Sequence, residues 1–137
     1  MTGMAARATA RPPITVGETD AERLTALALQ AEDRLPEVAA LLLDELERAR
    51  VKPDARLPAD VVAMGSTVEF LDEAHGAPRT VQLVWPGEAD IAAGRVSVMT
   101  HVGAGLLGLT AGQSILWPDR DGKKRPLRIL KVSRPAS

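Results

Sequence analysis

The sequence predicts an α+β protein in which a short N-terminal antiparallel helical hairpin is followed by an antiparallel β-sheet domain with one short helix. Apolar residues recur at helical spacing between positions 19 and 49. After position 60 they fall instead in short β-branched stretches that turn residues separate. The chain of 137 residues is long enough for one small domain with an appendage.

The first predicted helix begins at Thr19. Thr19 and Glu22 have the spacing of a capping box, in which the hydroxyl accepts from the amide three residues on and the carboxylate reaches back. One apolar stripe follows, formed by Leu24, Leu27, Ala28 and Ala31. We therefore expect this helix to pack on one side only.

Pro36 suits the first turn of a second helix, and the break falls near Arg34 and Leu35. Asp44 and Arg48 form an acid-to-base pair one turn apart. The apolar stripe of this helix consists of Ala39, Leu42, Leu46 and Ala49. Two such helices form an antiparallel hairpin of about 24 Å, which is short for a coiled coil, so we expect it to lean on the neighbouring domain.

Five strands are predicted after the hairpin: Thr67 to Phe70, Thr80 to Trp85, Arg95 to Met99, Ser114 to Trp117 and Leu127 to Val132. Turn signals lie between them, including His75-Gly76 and Asp121-Gly122, so antiparallel pairing is expected. The stretch from Val102 to Leu109 suits a short helix across the sheet, with glycines that permit close approach.

We divide the chain into four segments. Residues 1–13 are predicted to be a disordered tail and residues 14–51 the helical hairpin. Residues 52–59, with two prolines and no periodicity, are the linker, and residues 60–133 form the sheet domain.

Composition excludes several classes of protein. The absence of cysteine removes disulfides and thiolate chemistry, and no apolar run is long enough to span a membrane, so we expect a cytoplasmic protein. Aromatic residues make up 2 % of the chain, too few for base-stacking platforms. Residues 14–60 carry a net charge of −5 and residues 61–137 a net charge of +2, which could orient the protein on a charged partner or simply reflect a solvated helix surface.

Few residues suggest chemistry. His75 and His101 lie far apart without acids at ligand spacing, so no metal or other cofactor is predicted. A basic cluster could meet phosphates, although solvated lysines at a hairpin tip are favoured; it contains Lys123, Lys124, Arg125, Arg128, Lys131 and Arg134. Glu32, Asp33 and Glu37 gather at the hairpin tip, where they could hold Mg²⁺ in a partner's active site or merely complement the helix dipole.

The segment from Asp60 onward resembles the C-terminal domain of the GreA/GreB transcript-cleavage factors, most specifically in S-V-M-T-H-V-G-A-G-L-L-G-L and V-W-P-G-E-A-D. With R-P-P-I-T-V and D-A-E-R-L at the front and L-D-E-L-E-R-A in the second helix, the chain resembles the Rnk-type regulators of nucleoside diphosphate kinase within that family. The resemblance covers nearly the whole chain from Arg11.

This resemblance implies an FKBP-like sheet domain that binds RNA polymerase at the rim of its secondary channel. The family's polymerase contact maps onto Thr100, His101 and Val102, where this chain has His101 in place of the family's common proline. The family's long arm carries an acidic catalytic tip, but the arm here is short, so Glu32, Asp33 and Glu37 are expected to act only through their charge.

We therefore expect a monomeric, non-enzymatic regulator of transcription elongation that competes with the cleavage factors. Neither kinase activity nor sequence-specific nucleic-acid binding is expected, and DNA contact remains only a general expectation for transcription regulators. Two alternatives stay open: a weak peptidyl-prolyl isomerase, suggested by the implied fold, and an adaptor that binds another protein through the apolar stripe of the hairpin.

Overall fold

The computed structural model describes residues 11–73, 76–119 and 121–134. Residues 1–10, which make up most of the predicted tail, lie outside the described residues. So does His75, which was named in a predicted turn and considered as a metal ligand. The hairpin consists of α1 (Glu18–Ala31) and α2 (Pro36–Arg48), with Pro36 in the first turn of α2 as expected. Residues 32–35 connect them, so the break falls where the sequence indicates it.

Two short strands that the sequence did not predict close the base of the hairpin. β1 (Thr15–Gly17) and β2 (Arg50–Lys52) pair in parallel. β1 is also tied to the following domain, because the amide of Thr15 donates to the carbonyl oxygen of Gly108 at 3.1 Å. Strands of three residues are too short to show alternation, which is why the pattern failed to reveal them.

Two local predictions about the hairpin are wrong. No capping box forms: α1 starts at Glu18 after Gly17, and Thr19 bonds instead to the Asp54 carboxylate, through both its amide at 3.0 Å and its hydroxyl. Arg48 does not pair with Asp44, because its guanidinium makes two bonds, at 2.7 and 2.8 Å, to the buried carboxylate of Glu45. Thr19 is thus bound by a partner 35 residues away, whereas Arg48 binds a different carboxylate of its own helix, the one that packing buries.

The five predicted strands all form and belong to one sheet. They are β3 (Thr67–Asp72), β4 (Pro78–Val84), β5 (Arg95–Ser97), β6 (Ser114–Pro118) and β7 (Lys124–Ser133), in the spatial order β5-β4-β3-β7-β6. Pairing is antiparallel except between β4 and β5, which run parallel, so the expectation of a purely antiparallel sheet is wrong at that edge. The parallel edge arises because residues 85–94 carry the chain back across the end of β4 through two single-turn 3₁₀ helices, Pro86–Glu88 and Ile91–Ala93.

The predicted short helix is α3 (His101–Leu106), and its glycines allow the close approach that was expected. A Cβ on Gly103 would stand 2.1 Å from the carbonyl oxygen of Ser97. A Cβ on Gly105 would stand 2.8 Å from the indole ring of Trp117 on β6. The helix therefore lies directly against the strand that precedes it and against the sheet.

One continuous core joins the hairpin to the sheet domain. It contains Leu24, Ala28 and Leu42 from the hairpin together with Phe70 and Leu106 from the sheet domain. Fully burying a leucine side chain contributes about 1.5–3 kcal/mol, and here these residues are withdrawn from water by the other half of the molecule. The expectation that the arm leans on its neighbour is thus met by the packing.

Candidate partner-binding site

The loop that enters α3 is held rigidly by its own polar groups. The Thr100 hydroxyl accepts from the amide of Gly103 at 3.0 Å, which is an N-cap, and donates to the carbonyl oxygen of Ser97 at 2.7 Å. The Ser97 hydroxyl accepts from the amide of Met99 at 3.0 Å. Thr100 is itself exposed, so this loop presents a fixed conformation to solvent.

His101 links this loop to both halves of the molecule. Its carbonyl oxygen accepts from the indole Nε1 of Trp117 at 2.6 Å. Its imidazole is 15 % exposed, and Nε2 lies 3.6 Å from the Glu37 carboxylate of α2. Val102 packs against the core. Of the three predicted contact residues, Thr100 is thus the exposed one, whereas His101 and Val102 are half-buried.

The three residues of the acidic tip have different surroundings in the structure. Glu32 and Asp33 lie exposed in the turn between the helices. Glu37, although 78 % exposed, faces His101 across the junction with α3. The fold therefore brings one residue of the predicted tip together with one residue of the predicted contact loop, a juxtaposition that sequence spacing could not reveal.

Three arginines of the basic cluster form ion pairs or hydrogen bonds within the protein. Arg125 makes ion pairs of 3.0 Å with both Asp72 and Asp119, and Arg128 lies 3.6 Å from the Glu73 carboxylate. The Arg134 guanidinium binds the carbonyl oxygens of Leu57 and Pro58, which fastens the linker to the end of β7. Lys123, Lys124 and Lys131 remain exposed. These contacts favour the interpretation that the lysines are solvated side chains over the interpretation that the cluster binds phosphate.

A groove of about 400 Å³ opens beside His101, between α2 and the turn that joins β6 to β7. A second cavity, of about 610 Å³, lies at the other edge of the sheet, near Gly65, Gln82 and Arg95. Among the described residues that line these two cavities there is no phenylalanine or tryptophan. Within the described residues, no group of three or more histidines and carboxylates is placed to hold a metal ion. Nor is any described helix long and apolar enough to cross a membrane.

Sequence reasoning missed the polar contacts that join α1 to the linker and to the sheet domain. Two hydrogen bonds from Thr19 lower the pKa of Asp54. Burial raises the pKa of Asp20, although its carboxylate accepts from the amide of Met64 at 3.2 Å. Asp54 stands in no motif, and the D-A-E-R-L segment that contains Asp20 carries no sign of its partner. The partners lie 35 and 44 residues away along the chain, so no local signal could have identified them.

Sequence reasoning also missed that Glu45 is fully buried. Its carboxylate meets Arg48 and lies 3.8 Å from the Arg11 guanidinium. Arg48 in turn donates to the carbonyl oxygen of Pro12 at 2.6 Å, which secures the segment before β1. A signal was present here, because Glu45 lies one helical turn after Leu42 on the apolar stripe of α2.

The structure thus combines a short helical arm with a mostly antiparallel sheet, and a capped loop lies at their junction. Comparison with known proteins identifies the family of this chain. The family model described as transcription elongation factor GreA/GreB, C-terminal, matches residues 57–134, and the model of the Rnk N-terminus matches residues 12–51. The chain therefore belongs to the GreA/GreB family and, within it, to the Rnk type.

Individual relatives agree with this assignment. The chain is 39 % identical over 123 residues to the regulator of nucleoside diphosphate kinase of Escherichia coli, covering 89 % of this chain and 90 % of that protein. The chain is also 42 % identical over 74 residues to transcription elongation factor GreA of Rhodospirillum rubrum. This match covers 54 % of this chain and 47 % of that factor.

A solved GreA/GreB transcription elongation factor from Nitrosomonas europaea has the same fold, with a TM-score of 0.70 and 35 % identity, across 90 % of this chain and 99 % of that one. These relatives are named as regulators or factors and not as enzymes.

Proposed function

We propose that this protein regulates transcription by binding RNA polymerase near the secondary channel and competing there with transcript-cleavage factors, without cleaving RNA itself. The observation that carries the proposal is the GreA/GreB match over residues 57–134, which includes the whole loop from Thr100 to Val102. The family resemblance implies that this domain is the docking module. The rigid, capped conformation of the loop supports that role, since a preorganised surface loses little entropy on binding.

The absence of cleavage activity is proposed from the position of the arm. α2 packs against the sheet domain, and Glu37 lies 3.6 Å from the imidazole of His101. If the loop at residues 100–102 contacts the channel rim, Glu37 stays beside that contact. Oxygen ligands of Mg²⁺ must stand at about 2.1 Å from the ion. Carboxylates held near the docking loop would therefore act through their field and not by coordination in a distant active site.

Two alternative functions have less support. A peptidyl-prolyl isomerase of the implied FKBP-like type would need an aromatic pocket, but Phe70 and Trp117 are buried in the core and the Arg23 guanidinium covers the ring of Trp85 at 4.6 Å. An adaptor that used the apolar stripe of the hairpin would need that stripe to be accessible. Leu24 and Leu42 are instead fully buried against the sheet domain.

Competition on core polymerase tests the proposal. The full chain should displace fluorescently labelled GreA, and His101→Ala should weaken this displacement while leaving the Thr100 cap intact. Leu130→Ala, at an exposed position of β7, is the matched control and should compete like wild type. Failure of the wild-type chain to displace GreA would refute the proposal. Stimulated RNA cleavage in a backtracked complex, lost in Glu32→Gln/Asp33→Asn/Glu37→Gln, would refute its non-enzymatic part.

A further inference from the structure

The segment Arg11–Thr15, which we call the strap, leads into β1 and bonds alternately to the two halves of the molecule. The carbonyl oxygen of Pro12 accepts from the Arg48 guanidinium of α2 at 2.6 Å. The next carbonyl oxygen, that of Pro13, accepts from the side-chain amide of Gln113 in the sheet domain at 3.2 Å. Successive carbonyl groups of an extended chain point in opposite directions, so one short segment can reach both halves.

The alternation continues into β1. The carbonyl oxygen of Ile14 accepts from the amide of Arg50, at the base of the hairpin, at 2.9 Å. The amide of Thr15 donates to the carbonyl oxygen of Gly108 in the sheet domain at 3.1 Å. Ile14 is buried so close to Gly108 that a Cβ added there would stand 2.9 Å from the Cβ of Ile14. The strap is therefore bonded to the arm, the sheet domain, the arm and the sheet domain in turn.

The sequence of the strap suits an extended connector. The residue before a proline is restricted to extended backbone, which applies to both Arg11 and Pro12. A proline has no amide hydrogen, so Pro12 and Pro13 offer only their carbonyl oxygens and leave no donor to satisfy. Their fixed φ angles also lower the entropy that the chain loses when the strap becomes ordered. The R-P-P-I-T-V motif thus encodes a preorganised segment.

Arg11 connects the strap to two buried side chains. Its guanidinium lies 3.8 Å from the carboxylate of Glu45, which is fully buried and is also bound by Arg48. The same guanidinium lies over the indole ring of Trp117, with its Cζ 5.9 Å from the ring centroid. Because Glu45 belongs to α2 and Trp117 to β6, the side chain of Arg11 bridges the arm and the sheet domain.

The strap also contacts the surroundings of α3 at both ends of that helix. Trp117, which lies beneath Arg11, donates from its Nε1 to the carbonyl oxygen of His101, the first residue of α3, at 2.6 Å. Gly108, which accepts from Thr15, follows the last residue of α3 by two positions. Two separate contacts therefore connect the strap to the helix whose N-terminal loop is the proposed docking surface.

We propose that the strap couples the position of the arm to the conformation of the loop at residues 100–102, so that release of the strap loosens both together. The strap can open without unfolding the sheet, because its polar contacts are few and the bond from Gln113 to Pro13 is exposed. By reciprocity, a partner that fixes the loop also tightens the strap. This inference rests on the proposed function only for the identity of that partner as polymerase.

The test uses the full-length double variant Arg11→Ala/Gln113→Glu, which we call the strap variant. It removes the side chain that lies over Trp117 and the donor that binds the carbonyl oxygen of Pro13. The glutamate still offers an oxygen to the amide of Thr110, which donates to the Gln113 side chain at 2.8 Å in the wild-type chain. The local turn before β6 is thereby kept while the strap is weakened.

Hydrogen exchange followed by ¹⁵N NMR measures the coupling. The amides of Thr15 and Arg50 report the strap and should exchange on the order of tenfold faster in the strap variant. The amide of Gly103, which donates to the Thr100 hydroxyl, reports the loop and should accelerate by about threefold or more. The indole Nε1–H signal of Trp117 should shift. The amides of β3, at the centre of the sheet, should exchange as in wild type.

Gln30→Glu/Arg56→Ala is the matched control, since it makes the same change of net charge at exposed positions outside the strap and should exchange like wild type. If Thr15 accelerates in the strap variant while Gly103 keeps the wild-type rate, the strap is only a structural fastener and the proposal is refuted. If β3 accelerates equally, the whole fold has been destabilised, and Gln113→Glu alone repeats the comparison. In that milder variant a faster Gly103 amide supports the coupling, and a Gly103 amide at the wild-type rate refutes it.

Competition with labelled GreA on core polymerase separates this inference from the proposed function. If the wild-type chain displaces GreA and the strap variant does so more weakly, although residues 100–102 are unchanged, the coupling extends to the docking surface. If both displace GreA equally well, the inference is wrong while the proposed function stands. If the wild-type chain fails to displace GreA but Gly103 accelerates together with Thr15, the proposed function is wrong and the coupling within the chain is supported.

Discussion

Gly103→Ala should displace the start of α3 and with it the loop at residues 100–102. The new Cβ would stand 2.1 Å from the carbonyl oxygen of Ser97 and 2.9 Å from the Cα of Val98. Close carbon-to-oxygen contacts in proteins lie at about 3.3 Å or more, so the two backbones must separate by roughly 1 Å. Both opposing atoms belong to the main chain, and neither can swing aside. The Thr100 hydroxyl would then lose either its bond to Ser97 or its cap on Gly103.

The expected cost is the sum of overpacking, about 1–3 kcal/mol, and the lost cap, about 1 kcal/mol. For a chain of this length, such a loss lowers the melting temperature by roughly 10 °C. Thermal unfolding followed by circular dichroism measures it, and GreA displacement measures the effect on the loop. Gly87→Ala is the control, because a Cβ there meets nothing within 4 Å. If Gly103→Ala melted within 2 °C of wild type and competed equally well, the packing argument for this loop would be refuted.

Three further outcomes are expected. Leu42→Ala should cost about 2–5 kcal/mol of unfolding free energy in chemical denaturation, since the side chain is fully buried; an effect below 1 kcal/mol would show that the arm is not docked. Arg48→Met should cost about 3–5 kcal/mol by leaving the Glu45 carboxylate buried without its main partner, and adding Glu45→Gln should recover part of that loss. Asp54→Asn should destabilise the chain at neutral pH, because the bonds from Thr19 lower the pKa of Asp54. Their stabilisation is complete above the ordinary value of 3.8 and is lost as pH falls through the lower folded value, so a deficit that persisted unchanged in acid would contradict this account.

The predictions that the structure confirms rest on patterns among residues close together in the chain. β-branched stretches between turn residues predicted the five strands of the main sheet, and Pro36 predicted the start of α2. The glycines of α3 were interpreted as allowing close packing, and Gly103 and Gly105 do lie against Ser97 and Trp117. Each of these properties depends on the shape or conformational preference of residues close together in the chain.

The predictions that proved wrong were decided by tertiary packing, which brings distant partners together or buries a neighbouring one. Thr19 had a suitable local partner in Glu22, but it forms its hydrogen bonds with Asp54, which lies 35 residues away. Arg48 had Asp44 one turn before it, but Glu45 offers two oxygens in a buried setting, where a charged hydrogen bond is worth more. The parallel edge between β4 and β5 likewise depends on the path of residues 85–94 and not on the pattern of either strand.

The sequence by itself determined the three helices, the five strands of the main sheet, their order and the family, because periodicity, turn residues and motif identity are properties of neighbouring positions. Tertiary structure alone decided which surface those elements present. Docking of the hairpin buried its apolar stripe and turned Glu37 toward His101. The physical reason is that burial of apolar area fixes how the two halves meet without regard to the polar residues at their margin. Glu37 and His101, which are far apart in the sequence, are therefore brought within 3.6 Å of each other by packing.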